Sequence, residues 1–221
     1  LEEHAGCRWY TSTVSHIPKV SRLVIHAIDD RQIPALEYRE TFFYDALDAD
    51  WSARNRINGA MGKLDEERGG KVAYYPFVHS FFTLIPPEEF FKTHPEWFSL
   101  VDGERTLVGR FKRTQLCLTN EQMIQQAIKT VRQWIQAHPE ANIISISQND
   151  WHGRCQCAAC KAVEAEEEAP SGLLLRFVNA VAGDIEREFP DMWVETLAYQ
   201  YTRSAPKLAR PGKNVIVRLC T

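Results

Sequence analysis

NIISISQNDWHGRCQCAAC, residues Asn142–Cys160, passes from an apolar, β-branched run to an amide, a carboxylate and an indole, and then to three closely spaced cysteines. Ile143, Ile144 and Ile146 read as a buried strand, because a strand covered on both faces carries a near-continuous apolar run. Gln148, Asn149, Asp150 and Trp151 follow where that strand should stop. Such side chains are poor core material, and at the carboxyl end of a parallel strand they are the usual material of a site. A plainer reading competes: Asn and Asp are also ordinary cap and turn residues.

The flanks of this stretch set its context. Thr119 or Asn120 is placed to cap a helix running to Ala137, with Ile124, Ile128, Val131 and Ile135 at i, i+4, i+7 and i+11 on one face and Pro139 ending it. Ser171 is expected to cap a second helix, faced by Leu174, Val178, Val181 and Ile185 and stopped by Pro190. Trp193–Tyr199 and Val215–Leu219 read as further strands, with Pro206–Gly212 a loop between them. The acidic run Glu164–Glu168 reads as a solvated face or loop. Upstream, Val72–Val78 reads as a buried strand ending at His79, and Pro86-Pro87-Glu88-Glu89 opens a short helix with proline and acids in its first turn. Glu96–Arg113 is loop-like with a turn at Asp102-Gly103, and Gln115–Leu118 is a short extended piece. Earlier strands are expected at Arg22–Ile28, Ala35–Arg39 and Asn55–Ala60, with a short helix to Arg56 capped by Asp48 or Asp50.

Strands alternating with helices at this spacing predict an α/β chain with a parallel sheet and right-handed crossovers. No glycine-rich phosphate loop follows any strand, which disfavours a nucleotide-binding doubly wound sheet. Polar residues gather where strands end: Arg39, His79, Asn149, Asp150, Tyr199 and Arg218. That is the habit of a (β/α)8 TIM barrel, whose sites sit at the carboxyl rim. The fold expected is such a barrel truncated to about six β/α units over residues 35–221, with residues 1–34 an entry segment from an upstream domain.

Twenty-six basic against 29 acidic residues leave a formal charge of −3 with no block of Lys or Arg, which argues against a nucleic-acid partner. No apolar run reaches membrane-spanning length. Leu1-Glu2-Glu3-His4 is neither a secretory leader nor an initiator-Met start, so the compartment is not readable there. Six cysteines, three of them scattered, are not the framework of a small disulfide-stapled domain. His152, Cys155, Cys157 and Cys160 offer an imidazole and three thiolates for a structural zinc. A disulfide between two of the three cysteines and reduced packed thiols fit the spacing equally well. In each case the cluster is expected to pin the loop beside Asp150.

Several long motifs resemble one family: HSFFTLIPPEEFFKTHPEWFSLVDGER (His79–Arg105), LCLTN (Leu116–Asn120), SQNDWHGRCQCAAC (Ser147–Cys160), and PSGLLLRFVNAVAGDIE with LAYQYTR between Pro170 and Arg203. They are similar to the domain of unknown function 4838 family, bacterial barrel proteins of which some are classed as glycoside hydrolase family 163, endo-β-N-acetylglucosaminidases acting on complex N-glycans. A more distant resemblance goes to the family 20 β-hexosaminidases, in which an Asp orients the 2-acetamido group of the substrate and the following Glu protonates the leaving oxygen. His79, Cys117, Asn120, Asn149-Asp150 and Cys157/Cys160 fall in matching order. By that resemblance Asn149 takes the orienting role and Asp150 the acid role. The chain departs from the pattern there, since Asp is a methylene shorter than Glu and Asn carries no charge.

The resemblance implies a glycan substrate, a substrate-assisted retaining mechanism and no required cofactor. It also implies a signal peptide and an upstream α/β domain, hence a periplasmic, outer-membrane-associated or secreted bacterial location. Arg39, His79, Trp151, Tyr199 and Tyr201 are the expected substrate contacts: Arg39 forking onto hydroxyls, His79 binding a hydroxyl and the aromatics stacking on sugar faces. For each, a structural role in the core or in an ion pair competes. A non-catalytic carbohydrate-binding barrel is the alternative function, and a metal-organised scaffold for protein contacts a third.

Overall fold

A computed structural model describes residues 1–59, 61–105, 107 and 114–220. The chain forms two compact units, Leu1–Ala73 and Tyr74–Thr221. The first holds α1 (Glu2–Ala5), a two-stranded antiparallel ribbon of β1 (Arg8–Trp9) and β2 (Ser15–His16), and α2 (Ala49–Arg54). Asp48 caps α2, its carboxylate accepting from the Trp51 N–H at 2.7 Å.

The second unit runs β3 (Tyr74–Tyr75), α3 (Phe81–Leu84), α4 (Pro87–Phe90), α5 (Glu121–Ala137), β4 (Ile143–Ser145), α6 (Ala158–Glu167), α7 (Pro170–Ile185), β5 (Trp193–Ala198) and β6 (Val215–Leu219). Its sheet has the order β3-β4-β5-β6 with every pair parallel, so sequence neighbours are sheet neighbours. A doubly wound sheet reverses its strand order at a switch point, and none occurs among the described strands. Asn120 caps α5 by accepting from the Met123 N–H at 3.0 Å. Met123, Ala127, Ile128, Val131 and Ile135 then pack with Ile144, Ile146, Val178, Val181, Ile185 and Val194 in one core. Among the described residues no helix is long and apolar enough to cross a membrane.

Several expected elements differ. The described residues contain four parallel strands, not six, and a closed barrel is not seen. Arg22–Ile28 and Ala35–Arg39 are not strands, and neither is the described part of Asn55–Ala60; Ala60 lies outside the described residues. Leu23, Val24, Ile25 and Ile28 are about half exposed. Apolar alternation yields a strand only where a neighbouring strand and a covering layer exist, and no strand among the described residues pairs with this segment. The strand at Val72–Val78 is reduced to Tyr74–Tyr75. The turn at Asp102-Gly103 is present, with Val101 and Glu104 bridged, while Thr106 and residues 108–113 of the expected loop lie outside the described residues.

Ser171 is not a cap. The N-cap of α7 is Ala169, Pro170 occupies the first turn, and Ser171 donates instead to the Ser204 carbonyl. Of the acidic run expected as a solvated face or loop, Glu166 and Glu168 are exposed at the end of α6, but Glu167 is fully buried. Glu167 accepts from the N–H groups of Leu208 and Ala209, both at 2.9 Å, and pairs with Arg176. These bonds, the Ala209 N–H first, hold its carboxyl below the usual range. Gly172 leaves the room, since a Cβ there would stand 2.2 Å from the Glu167 Cβ. Gly172→Ala should therefore cost roughly 1–3 kcal/mol, the range for overpacking. Gly183, on the same helix with open space around it, should gain about 0.5–1 kcal/mol as Ala. Denaturant midpoints of the two variants check the pair, and equal midpoints would contradict the packing described.

Candidate functional site

The carboxyl ends of β3, β4 and β5 are joined by side chains that the interior cannot leave unpaired. Ser145, Ser147 and Gln148 are all fully buried. Ile144 and Ile146 face the helices, so Ser145 and Ser147 face the other side of the sheet. Ser80 Oγ donates to the Ser145 carbonyl (2.7 Å) and accepts the Ser147 N–H (2.9 Å), tying β4 to the segment after β3. Gln148 donates to the Tyr199 carbonyl (3.0 Å) and accepts from Thr202 Oγ1 (2.7 Å), tying it to the segment after β5.

Above this layer the polar side chains converge. Asp150 is exposed, and its Oδ1 accepts from Tyr199 Oη at 2.8 Å and Gln200 Nε2 at 2.9 Å. The carboxylate pushes the Tyr199 hydroxyl pKa up, first through that hydrogen bond. His79 lies 5.6 Å from the Tyr199 ring, and its Nδ1 donates to the Gln148 carbonyl at 2.9 Å. That bond assigns the proton to Nδ1 and leaves Nε2 an acceptor in the neutral ring. The backbone here is strained: φ is +32° at Val78, +51° at His79 and +51° at Gln200. A positive φ at a β-branched residue is an outlier, and such strain concentrates at functional sites.

Asn149 is bound into the scaffold on two sides. Its N–H meets Gln115 Oε1 (2.9 Å) and its Nδ2 donates to the Thr114 carbonyl (3.1 Å). Its Oδ1 has no hydrogen-bond partner among the described residues. Gln115 also donates to the carbonyls of Asn149 and Trp151, so it holds the whole 149–151 turn. Trp151 is 37% exposed, enough to offer a face to a ligand. Tyr201 lies between His152, with ring centroids 6.3 Å apart, and the Arg154 guanidinium, 5.8 Å over its ring, and burial pushes its hydroxyl pKa up. Arg39 belongs to the first unit, where its guanidinium donates to the carbonyls of Leu36 and Arg56.

Glu195 is a group that sequence reading passed over. It is fully buried on β5 facing Ser145, whose hydroxyl donates to Oε2 at 2.6 Å, while Oε1 has no partner among the described residues. Burial raises its pKa from 4.5 to about 7, against the lowering effects of Ser145 and Arg218. The signal was available: a Glu in the third place of the apolar run WVETLA. On the opposite face of β5 and β6 lies an apolar cleft of about 500 Å³, with Leu174, Leu175, Thr196, Val217 and Leu219 among its walls. Its walls are mostly apolar, with Thr202, Arg203 and Arg210 among the polar residues that line it.

The cysteines gather beneath the 149–154 turn. Cys117, Cys155, Cys157 and Cys160 are all free thiols, and their sulfurs lie within 4.8 Å of one another. Cys117, not His152, supplies the fourth group. His152 is drawn away by its place beside Tyr201, while Cys117 sits just before α5 where the chain returns past this loop. Hydrogen bonds from Cys155 first, then Cys160, favour a thiolate at Cys117 and lower its pKa. Those at Cys155 and Cys160 rise, each first through its bond to Cys117.

Residues 9–221 match the family model described as "Domain of unknown function (DUF4838)". A search of curated proteins gives no match. Among solved structures, an alpha-galactosidase from Lactobacillus brevis is similar at 14% identity and a TM-score of 0.32. The alignment covers 48% of this chain and 14% of that one.

The Glu195 environment has a measurable consequence. Between pH 4.5 and about 7 the folded chain keeps a proton that the unfolded chain has released. The Glu195 contribution to stability therefore falls as pH rises through that window, by on the order of 3 kcal/mol at most. Glu195→Gln should remove this component and be more stable than the wild type at pH 8, with the two converging near pH 4. Urea unfolding at both pH values checks it; a wild-type-minus-variant difference independent of pH would contradict it.

Proposed function

The chain belongs to the DUF4838 family, and from that premise we propose that it is a glycoside-hydrolase-like domain acting on glycans that contain N-acetylglucosamine. The observation that carries the reading is the convergence of His79, Asp150, Tyr199 and Gln200 at the carboxyl ends of three consecutive parallel strands. A singly wound arc with its polar groups on that edge is what the wall of a (β/α)8 barrel presents. The substrate class comes from the motif resemblance to the endo-β-N-acetylglucosaminidases.

In this reading the acetamido carbonyl oxygen of the substrate attacks C1 as the glycosidic C–O bond breaks. Asp150 gives its proton to the leaving oxygen, and an oxazolinium ion results. Water then attacks C1, returns its proton to Asp150 and restores the acetamido group with retention. Asn149 has a free Oδ1 to accept the acetamido N–H, and its anchored Nδ2 fixes the direction of that oxygen. The exposed Trp151 supplies a stacking face. An exposed Asp150 with both donors on Oδ1 is placed to meet a ligand as a hydrogen-bond acceptor. The same feature favours the second reading, a carbohydrate-binding domain that does not cut.

Asp150→Asn should lower kcat on N-glycans by about 100-fold or more with little change in KM, the scale of a lost general acid. Aryl N-acetylglucosaminides with good leaving groups should lose much less. An unchanged kcat in the variant would remove Asp150 as the acid. Glycan binding by the wild type that weakens in Tyr199→Phe, with no turnover on any of these substrates, would establish the binding reading.

A further inference from the structure

We propose that Cys117, Cys155, Cys157 and Cys160 form a structural zinc site. Three chain segments meet there: the turn before α5, the loop after β4 and the first turn of α6. Four thiolates around zinc at a Zn–S distance of about 2.3 Å lie at the corners of a tetrahedron with edges of about 3.8 Å. Cys117 Sγ stands 3.7 Å from Cys157 Sγ and 3.9 Å from Cys160 Sγ, and all four sulfurs share one 4.8 Å sphere of mutual distance. A disulfide would bring one pair to about 2.05 Å and leave the other two sulfurs without a reason to converge.

The surroundings are those of a bound anionic cluster. The Leu100 N–H points at Cys155 Sγ (3.4 Å), and Thr119 Oγ1 lies 3.3 Å from Cys160 Sγ. Groups of this kind orient thiolate ligands from the next layer out. Zinc with four thiolates carries a net charge of −2, and Arg105 stands beside Cys117 with its guanidinium held by the carbonyls of Glu96 and Phe98. Cys117, Cys155 and Cys160 pack with Leu173 in a small apolar cluster, which shields the metal from water and leaves no open coordination position. The ion would therefore brace the loop that follows Asp150 without taking part in chemistry. The assignment is independent of the glycan reading, since it rests on none of the strand-end residues.

The test is elemental analysis of protein purified under reducing conditions and dialysed against metal-free buffer. About one zinc per chain is expected. Replacement by cobalt(II) should give the intense visible bands and thiolate-to-metal charge transfer of a tetrahedral sulfur site. Cys117→Ser should lose the zinc or bind it at least tenfold more weakly, whereas His152→Ala should retain a full equivalent. Should Cys117→Ser fail to fold, the wild-type stoichiometry and cobalt spectrum still decide. Four thiols that react freely with a thiol reagent and release no zinc would overturn the proposal. So would iron in place of zinc, or zinc lost only from His152→Ala.

Discussion

β4 and the residues that continue it are buried, yet Ser145, Ser147 and Gln148 stand among Ile143, Ile144 and Ile146. Ser145, Ser147 and Gln148 are out of reach of water, so each hydroxyl and amide needs a protein partner, at a cost of about 1–3 kcal/mol for each one left unpaired. The Gln148 amide finds Tyr199 and Thr202 after β5, the Ser145 hydroxyl finds Glu195 and the Ser147 hydroxyl, and Ser80 after β3 takes the backbone groups of Ser145 and Ser147. Satisfying the interior of one strand thereby fixes the positions of the chain ends on both sides of it. The strand-end site inherits its geometry from that requirement: Tyr199 and Gln200 reach Asp150 because Gln148, two residues below, already grips the Tyr199 carbonyl and Thr202.

The two faces of the sheet divide the work. Isoleucines and valines on the helix side make the core, and the serines with Glu195 make a polar layer on the other. A carboxyl buried in that layer with one oxygen unpaired is a stability cost whenever it is ionised. The strained backbone at Val78, His79 and Gln200 lies at the same edge. Cost and strain thus gather along the carboxyl ends of β3–β5, while the helix side of the sheet is packed in the ordinary way.

The loop after Asp150 cannot be ordered by the sheet alone, because it has left the hydrogen-bonded ladder. Gln115 holds its start through the carbonyls of Asn149 and Trp151, and the four cysteines hold its end. Gln115 and Cys117, the members of the two anchors that lie outside the loop, both come from the stretch just before α5, between Thr114 and Thr119. One segment therefore positions the candidate site from beneath, far in sequence from the residues it holds.

The sequence by itself determined the second unit's helices and strands where periodicity and capping agree: α5 from its apolar stripe and Asn120, β4 from its isoleucines, β5 and β6 from their apolar runs, and the parallel α/β class from their alternation. It marked Asp150 and Tyr199 by their place at strand ends, and three of the four cysteines by their spacing. Local pattern suffices for these because each depends on neighbours within one or two turns of chain. Only the tertiary structure decided the rest. It gave Arg22–Ile28 and Ala35–Arg39 no strand pairing among the described residues, buried Glu167 against Gly172 and turned Glu195 inward. It also brought Cys117 to the cluster in place of His152, across a gap of 43 residues from Cys160. The reason is physical: burial, pairing and ligand convergence belong to the folded neighbourhood, and a side chain's type does not specify what the fold will set against it.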